Sequence, residues 1–367
     1  MVTIQSIKVQ SQVETMFGQP EFTSTVPALV VDNIQKPVIT RPEEVIVKVG
    51  ATGLCHSDFH LINGDWQRSL PLDLPKTPGH EIAGWVEETG VSVPNRIMRG
   101  DLVAVFGGWG CGYCIYFKRG DEQMCQEAKW PGLSKYDGGF SEYLLVPSYK
   151  FLVKVDERDT FLTPEELAPL TDAGLTPYRA IKKVRHVLGP NKSIAIIGIG
   201  GLGFYATQYA RILGSGATVV AIDRSKDKLE LAKEVGADFT LSVAKPNDVK
   251  SRIGGMTNGD GVDVVLDTVG LETTLRLGLD ILNKNGAVVV VGLFGKEIRA
   301  RLFQTVLNEY QICGSLWGNY NELREVIELA KKGKIKHHIQ KFSLSKVNEA
   351  IGLLRAGNIN GRAVITP

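Results

Sequence analysis

Little in this chain of 367 residues is present in excess, and the shortages narrow its class. Cysteine is scarce, and five residues at this length cannot build a disulfide scaffold. An excess of one charge is missing as well. Forty-two Lys and Arg face 40 Asp and Glu, a formal charge of +2, with no basic stripe interleaved with aromatics. That balance argues against a nucleic-acid partner. Long apolar runs are absent: those near 194–203 and 287–294 fall short of the roughly 20 residues that a membrane span requires. The opening stretch MVTIQSIKVQSQVET lacks the basic-then-apolar plan of a secretory leader, so the cytoplasm is the expected compartment. Repeats and low-complexity segments are also lacking.

What remains is an ordinary globular composition, 43% hydrophobic and 22% charged. A single core rarely grows to this length, so two domains are expected. Through about residue 150, short apolar runs such as VIVKV, LVAVF and YLLV are broken by Gly and Pro. They read as antiparallel strands of a small barrel or sandwich. Near residue 160 the texture changes. TPEELAPL offers Thr163 as a helix cap with Pro164 in the first turn. Strands at 193–198, 218–222, 239–242, 262–267, 287–293 and 310–314 then alternate with helical patterns, such as SKDKLELAKEVGA, capped by Ser225 and ended by Gly236. That alternation predicts an α/β, doubly wound parallel sheet of Rossmann type. The last segment ends in GRAVIT and has no sheet of its own, so it is expected to return to the first domain. The predicted division is 1–171 with 315–367, a β-rich catalytic domain, and 172–314, a dinucleotide-binding domain.

The run SIAIIGIGGLG sets Gly198, Gly200 and Gly203 in a GxGxxG pattern directly after an apolar strand. These glycines suit a tight turn, a close approach to a pyrophosphate and close helix–strand packing. A helix opening at Gly201 and Leu202 aims free amides at the phosphates. Asp223 ends the next strand, about twenty residues on, where an acid accepts from the adenosine ribose. The same acid repels a ribose 2′-phosphate, whereas Arg224 can stack on adenine or meet a phosphate. NAD is the expected cofactor.

A second cluster is GLCHSDFH, residues 53–60, followed at 78–84 by PGHEIAG. Cys55 and His80 are two donors suited to zinc, whose catalytic sites use three protein ligands and leave one position open. GLCHSD, then GHE, then the glycine fingerprint about 120 residues later resembles the medium-chain, zinc-dependent alcohol dehydrogenases. The resemblance runs from about residue 26 to the C-terminus and implies a GroES-like first domain; the first dozen or so residues resemble an extension. LTDAGLTPYRAI narrows it to a bacterial and archaeal branch that includes secondary-alcohol and ketone-reducing enzymes.

The family's third zinc ligand is usually a cysteine, and Asp172 stands at the matching position. A carboxylate binds zinc at about 2.0–2.2 Å and replaces one anion with another; alone, Asp172 reads more often as a helix-cap carboxylate, and with Cys55 and His80 in place ligation is the expected role. The resemblance implies that Ser57 takes the proton of the alcohol and His60 passes it to solvent, although a lone His60 also reads as a surface imidazole. It implies that Asp58 orients His80, that Glu81 is an acid close to the zinc, and that His56 and Arg362 meet the cofactor pyrophosphate. Phe59, Trp109, Leu316 and Trp317 are its candidate pocket residues, and Leu202 backs the nicotinamide. Their apolar character favours hydrophobic alcohols.

Many relatives hold a structural zinc in C-x₂-C-x₂-C-x₇-C. Here Cys111, Cys114 and Cys125 remain and Phe117 takes the third position, so no structural zinc is expected. Asp121 or Glu122 could substitute from another offset; otherwise the thiols stay free, or Cys111 or Cys114 pairs with Cys125. The strand at 310–314 could pair with its copy, and relatives of this branch are mostly tetramers, so a homotetramer built from dimers is expected. Two rival readings stand: a polyol, sugar or threonine dehydrogenase of the same superfamily, and a non-catalytic nucleotide-binding relative.

Overall fold

The computed structural model of the protein describes residues 3–9, 29–66, 69–71, 73–156, 162–243 and 246–367. The expected start of the resemblance near residue 26 lies outside the described residues. Contacts divide the chain into two units, 1–172 with 319–367, and 173–318. The divisions thus fall after Asp172 and Gly318, where the sequence reading put them after 171 and 314. Among the described residues no helix is long and apolar enough to cross a membrane.

The strands are β1 (Thr3–Val9), β2 (Leu29–Gln35), β3 (Val45–Leu54), β4 (Glu81–Thr89), β5 (Leu102–Val105), β6 (Tyr143–Val146), β7 (Leu152–Val155), β8 (Ser193–Ile197), β9 (Thr218–Asp223), β10 (Phe239–Ser242), β11 (Val262–Asp267), β12 (Leu282–Val290), β13 (Gln311–Gly314), β14 (Ile339–Ser343) and β15 (Arg362–Thr366).

In the first unit the sheet order is β14-β15-β3-β4-β5-β7, with β6 pairing β3. β3 is buried over nearly its whole length because β15, β4 and β6 all hydrogen-bond to it. The register brings Gly53 opposite both Glu81 of β4 and Val364 of β15. Part of the N-terminal stretch that read as an extension is structural: β1 pairs antiparallel with β2, and the Ile7 N–H donates to the Phe140 carbonyl at 2.8 Å. Alternation decides this, since Ile7 and Val9 are fully buried although the stretch reads as polar.

The second unit is a six-stranded parallel sheet in the order β10-β9-β8-β11-β12-β13. This is the doubly wound order, reversing at β8 and β11. β8 and β11 are buried throughout, as continuous apolar runs demand when helices cover both faces. Their packing partners Val220, Ile222, Leu275 and Val288 belong to one core. Ser225 caps the helix Lys226–Glu234, its hydroxyl accepting from the Lys228 N–H. β12 departs from its expected 287–293 bounds. It starts at Leu282, with a register irregularity between Val262 and Val264 of β11 and Asn285 at φ +57°. It ends at Val290 because the amides of Val291 and Gly292 turn to the Asp267 carbonyl.

Candidate metal centre and dinucleotide site

β3 ends at Leu54, and the helix His56–Ile62 begins beyond Cys55. The Asp58 carboxylate turns back across that junction. Its Oδ2 accepts from the Cys55 N–H at 2.9 Å and its Oδ1 accepts from the Gly79 N–H at 3.2 Å. Oδ1 also lies 3.5 Å from Nδ1 of His80. One buried acid thereby ties the thiol segment to the imidazole segment.

Nε2 of His80 lies 3.2 Å from Oδ2 of Asp172. Cys55, His80, Glu81 and Asp172 each offer a donor atom, all within 4.8 Å of one another. Asp172 is held in place through its neighbour: the Thr171 hydroxyl accepts from the Ile82 N–H at 3.2 Å and donates to the Ala168 carbonyl at 2.8 Å. Burial alone would depress the His80 imidazolium, but Asp58, Asp172 and Cys55 around it lift it well above its ordinary range. Such a buried set of anionic and imidazole donors demands positive charge, and a thiolate, an imidazole and a carboxylate are the donor types that zinc takes. The residues fit that metal.

Glu81 is fully buried and meets Arg362, the first residue of β15. Nε of Arg362 donates to Oε2 at 2.9 Å, and Nη2 to Oε1. Burial raises the Glu81 carboxyl, and the fixed charge of Arg362 opposes that rise. Room for the carboxylate comes from Gly53, where a β-carbon would stand 1.8 Å from Oε2. Arg362, expected at the pyrophosphate, is thus only 3% exposed and has its guanidinium on Glu81. Neither the Gly53 cradle nor this pair was visible in the sequence, because both follow from the register of three strands. The available signal was three short motifs, GLC at 53–55, GHE at 79–81 and GRA at 361–363, which nothing in the sequence joins.

Ser57 Oγ lies 3.6 Å from the Cys55 sulfur. His60 meets Asp65, with Nδ1 2.8 Å from Oδ2, and its ring stacks on Trp66 at 4.8 Å. The sequence reading missed both partners, which sit in the turn NGDW just past the helix. His56 stacks on Phe59 at 6.2 Å between centroids. Trp109, expected at the substrate pocket, is buried among Phe151 and Tyr136, its indole N–H donating to the Phe106 carbonyl at 2.7 Å. That is a core position. In the second unit, Leu316 is exposed and Trp317 is buried at φ +45°.

In the second unit the glycine turn follows β8. Gly198 sits at φ +88°, and a β-carbon on Gly203 would lie 1.8 Å from the Gly198 carbonyl oxygen, so the turn closes only without side chains. A β-carbon on Gly200 would meet nothing within 4 Å, an open cradle at the N-terminus of the helix Gly201–Leu213, where Leu202 also lies. This is the position at which backbone amides receive phosphate. Asp223 closes the far side. Its Oδ2 accepts from the Ile199 N–H at 2.6 Å and its Oδ1 accepts from the Ser225 N–H at 2.8 Å, beside exposed Arg224. The acid read as a ribose contact also fastens the glycine turn to β9.

Two family models match the chain: an alcohol dehydrogenase GroES-like domain over residues 41–157 and a zinc-binding dehydrogenase domain over 201–332. An NAD-dependent alcohol dehydrogenase of Sulfurisphaera tokodaii is 40% identical over 341 residues, covering 91% of this chain and 94% of that relative. A D-arabinose 1-dehydrogenase (NADP(+)) of Saccharolobus solfataricus is 35% identical over 370 residues, covering all of both chains. The crystal structure of the alcohol dehydrogenase from the archaeon Aeropyrum pernix superposes with a TM-score of 0.89 at 32% identity, over 99% of this chain and 100% of that one.

Proposed function

This chain belongs to the medium-chain, zinc-dependent alcohol dehydrogenases, and from that premise we propose that Cys55, His80 and Asp172 are the ligands of its catalytic metal. It is an NAD-dependent oxidoreductase that interconverts an alcohol and the matching aldehyde or ketone. The observation that carries the ligand assignment is the convergence of the four donors within 4.8 Å, with Asp58 behind His80. A thiolate, a neutral imidazole and a carboxylate balance a divalent cation, and Arg362 neutralises Glu81, so the centre approaches zero net charge. That counter-charge role for Arg362 stands ahead of the phosphate contact that the resemblance implies.

Bound zinc supplies a Lewis acid that lowers the pKa of a substrate hydroxyl. NAD, cradled by Gly198, Gly200 and Gly203, supplies the hydride acceptor. Ser57, beside the Cys55 sulfur, accepts the hydroxyl proton while donating its own onward. His60 takes that proton at Nε2, because Asp65 holds Nδ1 as the donor and Trp66 fixes the ring. Asp58 fixes the His80 tautomer in the same way, which keeps Nε2 free to ligate.

The substrate assigned is an apolar primary or secondary alcohol, and the compartment the cytoplasm. The assembly assigned is a homotetramer of dimers. Support comes from β13, which ends the six-stranded sheet, and from exposed Leu302, Phe303, Val306 and Leu307 on the helix just before it.

Metal content and alcohol-dependent NADH formation, measured for the wild type and Asp172→Ala with a panel of secondary alcohols and D-arabinose, test the reading. The wild type should carry about one zinc at this centre and the variant should lose both metal and turnover. Undiminished zinc and turnover in Asp172→Ala would remove Asp172 from the centre. Faster turnover of D-arabinose than of any simple alcohol would move the substrate to the sugar branch.

A further inference from the structure

Cys111, Cys114 and Cys125 hold their sulfurs within 4.8 Å of one another, and among the described residues no fourth Cys, His or carboxylate joins them. The acids nearest in sequence are engaged elsewhere: Asp121 with Arg119 at 2.6 Å, Glu122 with the Tyr320 N–H at 3.4 Å, and Glu127 with the Tyr113 hydroxyl. The backbone is already arranged around the sulfurs. Cys125 Sγ accepts from the Cys111 N–H, Cys111 Sγ from the Cys114 N–H, and Cys114 Sγ from the Phe117 N–H, at 3.3–3.4 Å. At Cys111 burial is outweighed by the amides, which hold its thiol below the ordinary range, whereas burial pushes the Cys125 thiol up.

Phe117 takes the sequence position of the remaining cysteine in the family's four-cysteine pattern. Its ring edge and the Cys125 β-carbon converge on one point above Gly110, where an added β-carbon would lie 2.9 Å and 3.1 Å from them. A structural zinc needs four donors. Three sulfurs beside a hydrocarbon edge do not fit it, since zinc would require water against the ring. All five cysteines are free of disulfides.

The geometry points to a three-sulfur site for a soft ion content with three thiolates, such as trivalent arsenic or copper(I), in place of the zinc of four-cysteine relatives. Sulfurs about 2.3 Å from a common centre lie about 4 Å apart, inside the 4.8 Å within which these three already sit. Arsenous acid would exchange its three hydroxyls for three thiols, each As–O bond giving way to an As–S bond while the thiol proton leaves with the hydroxyl as water, with no change of oxidation state. The product is neutral, and its lone pair fills the fourth direction, which a phenyl edge tolerates. Copper(I) would enter by displacing the thiol protons and needs no fourth ligand. Cys111 and Cys114 are half-buried, so an ion can reach them from solution. Once bound, it would staple the segment between residues 111 and 125.

The test uses the zinc-loaded enzyme, reduced with a phosphine, given about one equivalent of arsenite or of copper(I), desalted and analysed for metals. The wild type should gain about one arsenic or one copper per chain without losing zinc; the two arms distinguish which ion the site prefers. Cys114→Ser should lose at least nine-tenths of that uptake with its zinc unchanged. Phe117→Cys, which restores a fourth sulfur and does not depend on the serine variant folding, should raise the zinc content from about one to about two per chain. No uptake of either ion by the reduced wild type, or uptake that survives Cys114→Ser, overturns the proposal. So does a second zinc in the wild type that Cys125→Ser removes.

Discussion

Gly53→Ala is the smallest change that should break the floor of the metal centre. The new β-carbon would stand 1.8 Å from Oε2 and 2.8 Å from Cδ of Glu81, well inside the roughly 3.4 Å of ordinary contact, so Glu81 must move. It has little room to do so. Arg362 grips its other edge, and Gly53 lies on β3 with β4 and β15 paired on either side. Displacing the carboxylate leaves a guanidinium that is 3% exposed without its counter-charge. Breaking a buried pair by removing one partner costs about 3–5 kcal/mol. In a unit of about two hundred residues that corresponds to a fall in Tm on the order of 10 °C. Differential scanning calorimetry of the zinc-loaded protein reads the shift, and metal analysis reports whether Glu81 carries its neighbours along. A variant that melts within about 1 °C of the wild type with full zinc would refute the packing argument. A double variant, Gly53→Ala with Glu81→Ala, should show less than the sum of the single losses, because each removes the same pair.

Replacing Asp58 with Asn leaves an acceptor for only one of the Cys55 and Gly79 amides and removes the charge behind His80; zinc affinity in chelator competition should fall about 10–100-fold. Asp172→Cys keeps an anionic donor, so it should retain about one zinc per chain and alcohol turnover, where Asp172→Asn loses metal. Asp223→Ala should raise the KM for NAD about tenfold and narrow the gap to NADP, since the 2.6 Å tie to Ile199 and a repulsive charge go together. For Glu44, burial raises the carboxyl, but the amides of Thr40 and Arg41 and the Thr40 hydroxyl outweigh it and hold it below the ordinary 4.5. A lowered folded-state pKa adds stability above the unfolded value that is lost as pH falls through the folded one. Glu44→Gln should therefore cost about 1 kcal/mol at pH 7, and urea titrations should show the difference shrinking below about pH 4.5.

Local pattern carried much of this molecule. The strand, glycines, helix and terminal acid from Ser193 to Asp223 are contiguous, so periodicity and turn chemistry suffice to expose them. Cys55, Ser57, Asp58 and His60 were legible for the same reason: six positions hold them all. The Glu81–Arg362 pair was not, because it depends on β15 finding β3 from the far end of the chain. Trp109 shows the converse failure, as an aromatic beside a loop reads as pocket or core equally well until its neighbours Phe151 and Tyr136 are known. Asp65 and Trp66 fell between these cases. They are near His60 in sequence, but only the turn after the helix brings them against its ring.

The placement of β15 between β14 and β3 sets an order of events during synthesis. Glu81 leaves the ribosome 281 residues ahead of Arg362. Throughout that interval its acid lacks the Arg362 guanidinium, and the Thr52–Leu54 stretch of β3 lacks its β15 partner. A nascent chain should therefore be most vulnerable to aggregation or misplaced metals before β15 emerges, and deleting β15 should forfeit the enzyme as a whole.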